Sequence, residues 1–187
     1  MNADLKTYYT NTVVARLQKE YGIANAMAVP AVKKIVVNAG FGKIIAGKTG
    51  DEERKLQEEV IHVLSAVTGQ KPLVTKAHTS IAGFKLREGA PNGAKVTLRG
   101  KRMWDFLTRF ISIVLPRSRD FRGLSRNSLD QKGNCTVGIR EHIAFPELAG
   151  DQIKRMIGFE VTIMTSAKNA QEGRSLLEHL GFPFKKS

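Results

Sequence analysis

The chain has one cysteine, one tryptophan and few acids: 17 Asp and Glu stand against 30 Lys and Arg in 187 residues. A single cysteine excludes a disulfide framework and a cysteine-rich zinc site, and it agrees with a reducing compartment. Cys135 lies in the alternating run NCTVGIRE, where it reads as a small packed residue. The four histidines, His62, His78, His142 and His179, are scattered without an HExxH spacing or an acid at ligand distance along the chain, so no metal site is expected. No cofactor-binding pattern survives inspection either. No segment reaches the roughly 18 apolar residues of a spanning helix, and none is a basic amphipathic helix with aromatic anchors. A membrane partner is therefore not expected. The first residues, MNADLKTYYTNTVV, lack the basic-then-apolar order of a secretion signal, which points to the cytoplasm.

The shortage of acid leaves a net charge of +13 and a pI near 10.1, the footprint of a polyanion binder. That charge is concentrated. Thirteen of the 30 basic residues but only three of the 17 acids lie between Lys71 and Arg126, so the partner-binding surface should come mainly from the middle of the chain.

Periodicity gives the order of elements. Leu5, Tyr9, Val13, Leu17 and Tyr21 fall at helical spacing over residues 4–21, and Gly22 follows where a left-handed cap belongs. KKIVVN (33–38) is short and β-branched, as a strand should be. The segment from Asp51 places three acids in a first helical turn and Leu56, Val60, Val63, Leu64 and Val67 on one face. PLVTKA (72–77) and AKVTLR (94–99) read as paired strands around a glycine-rich loop, Thr79 to Gly93. KRMWDFLTRFISIVL has one apolar face and should stop at Pro116; Trp104 on it reads as core or core edge. A polar basic segment, PRSRDFRGLSRNSLDQKGN, follows. NCTVGIREHIAF and FEVTIMTSA read as strands, and Asn169-Ala-Gln-Glu172 opens a last helix that ends near Gly181. The order α-β-α-β-β-α-β-β-α predicts an α+β fold: a mainly antiparallel sheet with helices packed on one face and a long mobile loop between two central strands. No linker or repeat divides it, so a single domain over residues 1–187 is expected.

One motif argues for a different function. Gly42 to Thr49, GKIIAGKT, fits the phosphate-loop pattern G-x-x-x-x-G-K-[ST]. A nucleotide-binding protein is the alternative reading. Its surroundings oppose it: Asn38-Ala-Gly-Phe separates the strand from Gly42, and Ile44 and Ile45 stand where backbone alone should wrap phosphate. The helix appropriate for docking a triphosphate opens with Asp51, Glu52 and Glu53, whose charge repels one. No second strand ends in the acid that a magnesium site requires. Catalytic residues are therefore not expected, and the motif reads as a flexible basic loop whose Lys43 and Lys48 are candidates for RNA phosphate.

The strings GQKP, KVTLRG, RMWDF, PRSRDFRGL, GIREHIAFPE and GFPF carry a resemblance. They are similar to the bacterial large-subunit ribosomal protein family that is fifth in the universal naming, and the likeness spans nearly the whole chain. GKIIAGKTG departs from the family's usual wording, which is commonly acidic or mixed there. The resemblance implies a structural RNA-binding protein of the large subunit's central protuberance that seats 5S rRNA, alongside large-subunit rRNA and other proteins of the protuberance. The resemblance implies no enzymatic activity.

For the rRNA surface the resemblance implies the polar residues Asn38, Gln70 and Thr97, with Lys71, Lys76, Lys95 and Arg99 supplying phosphate contacts. Amides and hydroxyls can read ribose hydroxyls and base edges, which cations cannot discriminate. The Thr79–Gly93 loop resembles one that reaches P-site tRNA, with Gly83, Phe84, Lys85 and Arg87 as contacts and Gly83, Gly89 and Gly93 allowing adaptation. Phe84 and Phe121 suit either base stacking or anchoring. Residues Gly138 to Glu147, including Arg140, Glu141 and Glu147, match a surface that meets small-subunit ribosomal protein thirteen in an intersubunit bridge.

Overall fold

The computed structural model describes residues 4–46, 48, 50–119, 121–125, 128–148 and 155–185. The first helix, α1 (5–21), forms because its apolar residues recur on one side, and it widens into one π-helical turn at Tyr9–Val13. Gly22 ends it with φ +65°, its N–H donating to the Gln18 carbonyl, as the sequence predicts. Strands β1 (Val32–Gly40), β2 (Leu73–Lys76), β3 (Pro91–Leu98), β4 (Cys135–Ile139) and β5 (Phe159–Thr165) hydrogen-bond in the order β2-β3-β1-β5-β4. The antiparallel sheet and its helices give the α+β class expected from the order of elements. Helices α2 (Gly50–Thr68), α3 (100–117) and α4 (Ala170–His179) complete the set.

Two compact units make up the chain, each from separate stretches of sequence. The first comprises Met1–Ile35, Leu98–Val137 and Thr162–Ser187. Its core gathers Leu17, Phe106, Phe110, Leu176 and Phe182, with Trp104 buried 5.5 Å from the Tyr9 ring. Tyr9 donates its hydroxyl hydrogen to the Pro30 carbonyl at 3.0 Å, and burial raises its pKa above the ordinary tyrosine value. Cys135 is fully buried here, and desolvation pushes its thiol up to about 12, as a packed residue rather than a nucleophile requires.

The second unit comprises Val36–Thr97 and Gly138–Val161. Leu56, Val60, Val63, Leu64 and Val67 of α2 are buried, as are Val37, Ala39, Ala94 and Val96 of the strands. Each buried Leu or Val of α2 contributes about 1.5–3 kcal/mol, more than the tenths that separate ordinary helix propensities, so packing sets the orientation of α2. The alternate strand positions stay at the surface: Asn38 and Lys95 are exposed and Thr97 half-buried. Strand period thus divides one buried face from one open face.

Four local expectations are corrected. The loop after β2 joins an edge strand to its neighbour, since β2 is outermost in the sheet. It also ends earlier than Gly93, because Pro91–Gly93 already belong to β3. Pro91 opens the strand, where its missing N–H is tolerated, and a bulge at Thr75/Lys76 adjusts the register opposite it. The third helix passes through Pro116 to Arg117: a π turn at Phe110–Val114 precedes the proline and has already departed from the i−4 ladder that proline breaks. Finally, NCTVGIREHIAF leaves the sheet after Ile139 and turns as two 3₁₀ segments, His142–Ala144 and Pro146–Leu148. Buried His142 fixes this departure by accepting the Ile157 N–H at Nδ1, 3.2 Å away.

Candidate nucleic-acid interface

In the second unit, β1 and β3 place Asn38 and Lys95 at exposed positions and leave Thr97 half-buried between Val96 and Leu98. Gln70 follows α2 through Gly69, which takes φ +65°, and its Nε2 donates to the Thr97 carbonyl at 3.5 Å. The structure thereby brings together two residues 27 positions apart in sequence. Thr68 supports this corner: its hydroxyl is 2.6 Å from the Leu64 carbonyl and 3.1 Å from that of Gln70. Lys71, two residues before β2, and Lys76, its last residue, are both exposed.

The register between β2 and β3 adds a residue that sequence reasoning missed. Leu73 lies opposite Lys95, so the two share a face, and Leu73 is 65% exposed. An apolar side chain beside a cation on an open strand face can cover a ribose or base while the ammonium meets phosphate. The alternation in PLVTKA signalled it, but only the register shows which residue Leu73 joins. On β5, Glu160 is the exposed residue, so the cationic character of this unit's strands belongs to β2 and β3.

Gly93 has a role other than loop adaptation. It pairs with Thr75, and a Cβ added there would lie 2.9 Å from Thr75 Oγ1 and 3.0 Å from the Ala39 carbonyl oxygen. Close approach of strands explains the glycine. Arg99, grouped with the rRNA-facing residues by sequence, is exposed at the N-cap of α3 in the first unit, with no side-chain cap bond.

Between β2 and β3, Ile81 and Leu86 exchange backbone hydrogen bonds of 2.9 and 3.2 Å around a 3₁₀ turn at Ala82–Phe84. Gly83, Phe84, Lys85 and Arg87 are all exposed on this tip. Gly89 uses a positive φ of +79°, whereas Gly83 does not. Arg140 is exposed just after β4; Glu141 is half-buried and Glu147 exposed on the 3₁₀ turns that follow. Phe121, in the first unit, is half-buried.

The phosphate-loop motif acquires a structural reading. Gly42–Ile45 forms one helical turn, and a Cβ on Gly42 would overlap Asn92 Oδ1. Packing against Asn92 therefore accounts for this glycine without a phosphate. Gly47 and Thr49, the other motif positions, lie outside the described residues. Asp51, Glu52 and Glu53 occupy the first turn of α2, as expected. Among the described residues no group of His, Cys, Asp and Glu is arranged to hold a metal ion, and no helix is long and apolar enough to cross a membrane.

Comparison with known families agrees with this geometry. A model described as ribosomal protein L5 matches residues 25–87, and one described as the ribosomal L5P family C-terminus matches residues 91–184. These matches define a structural, rRNA-binding constituent of the large ribosomal subunit, a component of translation and not an enzyme. The chain belongs to the ribosomal protein L5 family, whose members form part of the cytoplasmic ribosome in bacteria.

Proposed function

We propose that the open strand face of the second unit binds 5S rRNA and helps attach it in the central protuberance. The observation that carries this reading is the corner where Gln70 is tied to Thr97, with Lys95 exposed on the same strand and Asn38 exposed on β1. Amide and hydroxyl groups on an uncovered face supply hydrogen bonds to ribose and base edges, and Lys71, Lys76 and Lys95 supply the salt-dependent phosphate attraction. Arg99 would add phosphate contact from the first unit. Because both units are assembled from alternating stretches of sequence, residues 1–187 are taken as one rRNA-binding domain.

The exposed tip with Gly83, Phe84, Lys85 and Arg87 is the proposed contact to P-site tRNA. Arg140, Glu141 and Glu147 are proposed for the intersubunit bridge to small-subunit protein thirteen, with the remaining large-subunit rRNA and protuberance proteins as further neighbours. A filter-binding titration with 5S rRNA tests the central claim. Thr97→Ala or Gln70→Ala should weaken binding by about 1–3 kcal/mol if an RNA group is left unpaired. Lys71→Ala should mainly flatten the dependence of affinity on salt, by a slope of about 0.7–0.9. Unchanged affinity in both polar variants would remove this face as the 5S site.

A further inference from the structure

The phosphate-loop segment lines a groove of about 480 Å³ in the second unit. Its walls include Gly42 and Lys43 of the helical turn, Ile81, Phe84 and Lys85 of the loop tip, and Asn92 at the start of β3. Phe84 is 62% exposed and Ile81 43%, so an aromatic ring and an aliphatic side chain stand open to a ligand. Among the described residues no acid contributes to the lining. Lys43 and Lys85 are exposed, and neither has an ion-pair partner among the described residues.

The tip is built rather than loose. Besides the reciprocal bonds of Ile81 and Leu86, the Phe84 N–H donates to the Ile81 carbonyl at 3.1 Å and the Lys85 N–H to that of Ala82 at 3.0 Å. Lys85 is the one non-glycine among the described residues with a positive φ, +52°. Glycine would adopt that conformation without penalty, so a lysine there is held against its backbone preference. The opposite wall is fixed by Gly42, whose missing Cβ lets the turn sit against Asn92, and by the Phe41 N–H, which donates to the Asn92 carbonyl at 3.0 Å.

An open aromatic ring beside two ammonium groups, with no acid in the lining among the described residues, fits a ligand that is planar at one end and anionic at the other. We propose that this groove takes one unstacked nucleotide of a single-stranded RNA segment, its base on Phe84 and its phosphate between Lys43 and Lys85. Duplex RNA fits poorly, since its bases are stacked away from such a ring. A free triphosphate lacks the magnesium-binding acid it would need. The space lies within the range of about 300–1,000 Å³ usual for small-ligand sites. The inference rests on the reading of the loop tip as an RNA contact and adds Lys43, from a segment that reading does not use.

Fluorescence anisotropy with the full chain tests it, using labelled oligouridylate, with unlabelled tRNA, 5S rRNA and ATP as competitors. Phe84→Ala should weaken oligouridylate binding at least about fivefold. Lys43→Ala should weaken it several-fold and lower the salt slope by about 0.7. Lys19→Ala, which removes an exposed lysine from α1, should leave it within twofold. Oligouridylate carrying 4-thiouridine should cross-link to Phe84 or its groove neighbours. Stronger competition by tRNA than by 5S rRNA, or the reverse, identifies the natural source. If Phe84→Ala weakens binding and Lys43→Ala does not, the loop touches RNA but the groove proposal fails. If neither matters, the loop reading falls with it. Displacement by ATP as effective as by RNA, and insensitive to Phe84→Ala, would assign the groove to a free nucleotide instead.

Discussion

Thr97 belongs to two environments at once. Its carbonyl receives the Gln70 amide at the end of α2, while its half-buried side chain lies on the open side of β3. That hydrogen bond uses the Thr97 backbone carbonyl, which Thr97→Ala retains, so the two side chains should act on RNA binding nearly independently. A double-mutant cycle of Gln70→Ala and Thr97→Ala is expected to be additive within about 0.5 kcal/mol. Cys135 gives a second expectation at this scale. With its thiol buried and its pKa pushed up to about 12, alkylation by iodoacetamide at pH 8 should be negligible in the folded protein and rapid once it is unfolded.

Among the elements, α4 is held by features of unequal legibility. Asn169 caps it by accepting the Glu172 N–H at 2.8 Å, and the Glu172 carboxylate reaches back to the Lys168 N–H at 2.9 Å, one residue earlier than a standard capping box would have it. Asn169→Ala should lower stability by about 1 kcal/mol in a denaturant titration. The same helix is pressed onto Gly133: a Cβ on Gly173 would overlap the Gly133 backbone, and Gly133 itself takes φ +74°. Gly173→Ala improves helix propensity by about 1 kcal/mol, yet the backbone it meets cannot swing aside like a flexible side chain. Overpacking typically costs about 1–3 kcal/mol, so net destabilisation is expected, measurable as a lower denaturation midpoint. The cap was readable from four consecutive letters. The glycine contact was not, since it joins residues 40 positions apart that show no shared pattern.

At the scale of the whole chain, the first unit ties its N-terminal helix to its C-terminal one. Glu20 accepts from Ser175 at 2.8 Å and lies 3.0 Å from His179 Nε2, and Tyr21 shares a 2.8 Å bond with Ser175. The His179 hydrogen bond, followed by that of Ser175, holds the Glu20 carboxyl below the ordinary range. A depressed carboxylate stabilises the fold above its unfolded pKa of about 4.3 and loses that contribution as pH falls through the lower folded value. The partly exposed setting keeps the effect below about 1 kcal/mol. Unfolding followed between pH 6 and pH 3 should therefore show a smaller acid-induced loss in Glu20→Gln than in the unaltered chain. Charge acts over the same scale: the excess of cations in residues 71–126 implies that RNA affinity falls steeply as salt rises.

Composition and local periodicity by themselves determined the polyanion partner, the alternation of helices and strands, the Gly22 and Asn169 caps and the buried character of Cys135. Each depends on residues adjacent in sequence or on a sum over the chain, for which no contact need be known. Family wording added the ribosomal assignment, and the match of both L5 models bears it out. Only the tertiary structure put β2 at the sheet edge, drew Gln70 to Thr97, set Leu73 opposite Lys95 and turned the chain out of the sheet at Ile139. It also gave the Gly42 turn and the Phe84 tip a common groove, where the sequence shows a phosphate-loop motif and a separate loop. Register and chain crossing join residues through space, and a one-residue shift in pairing would reverse every strand face.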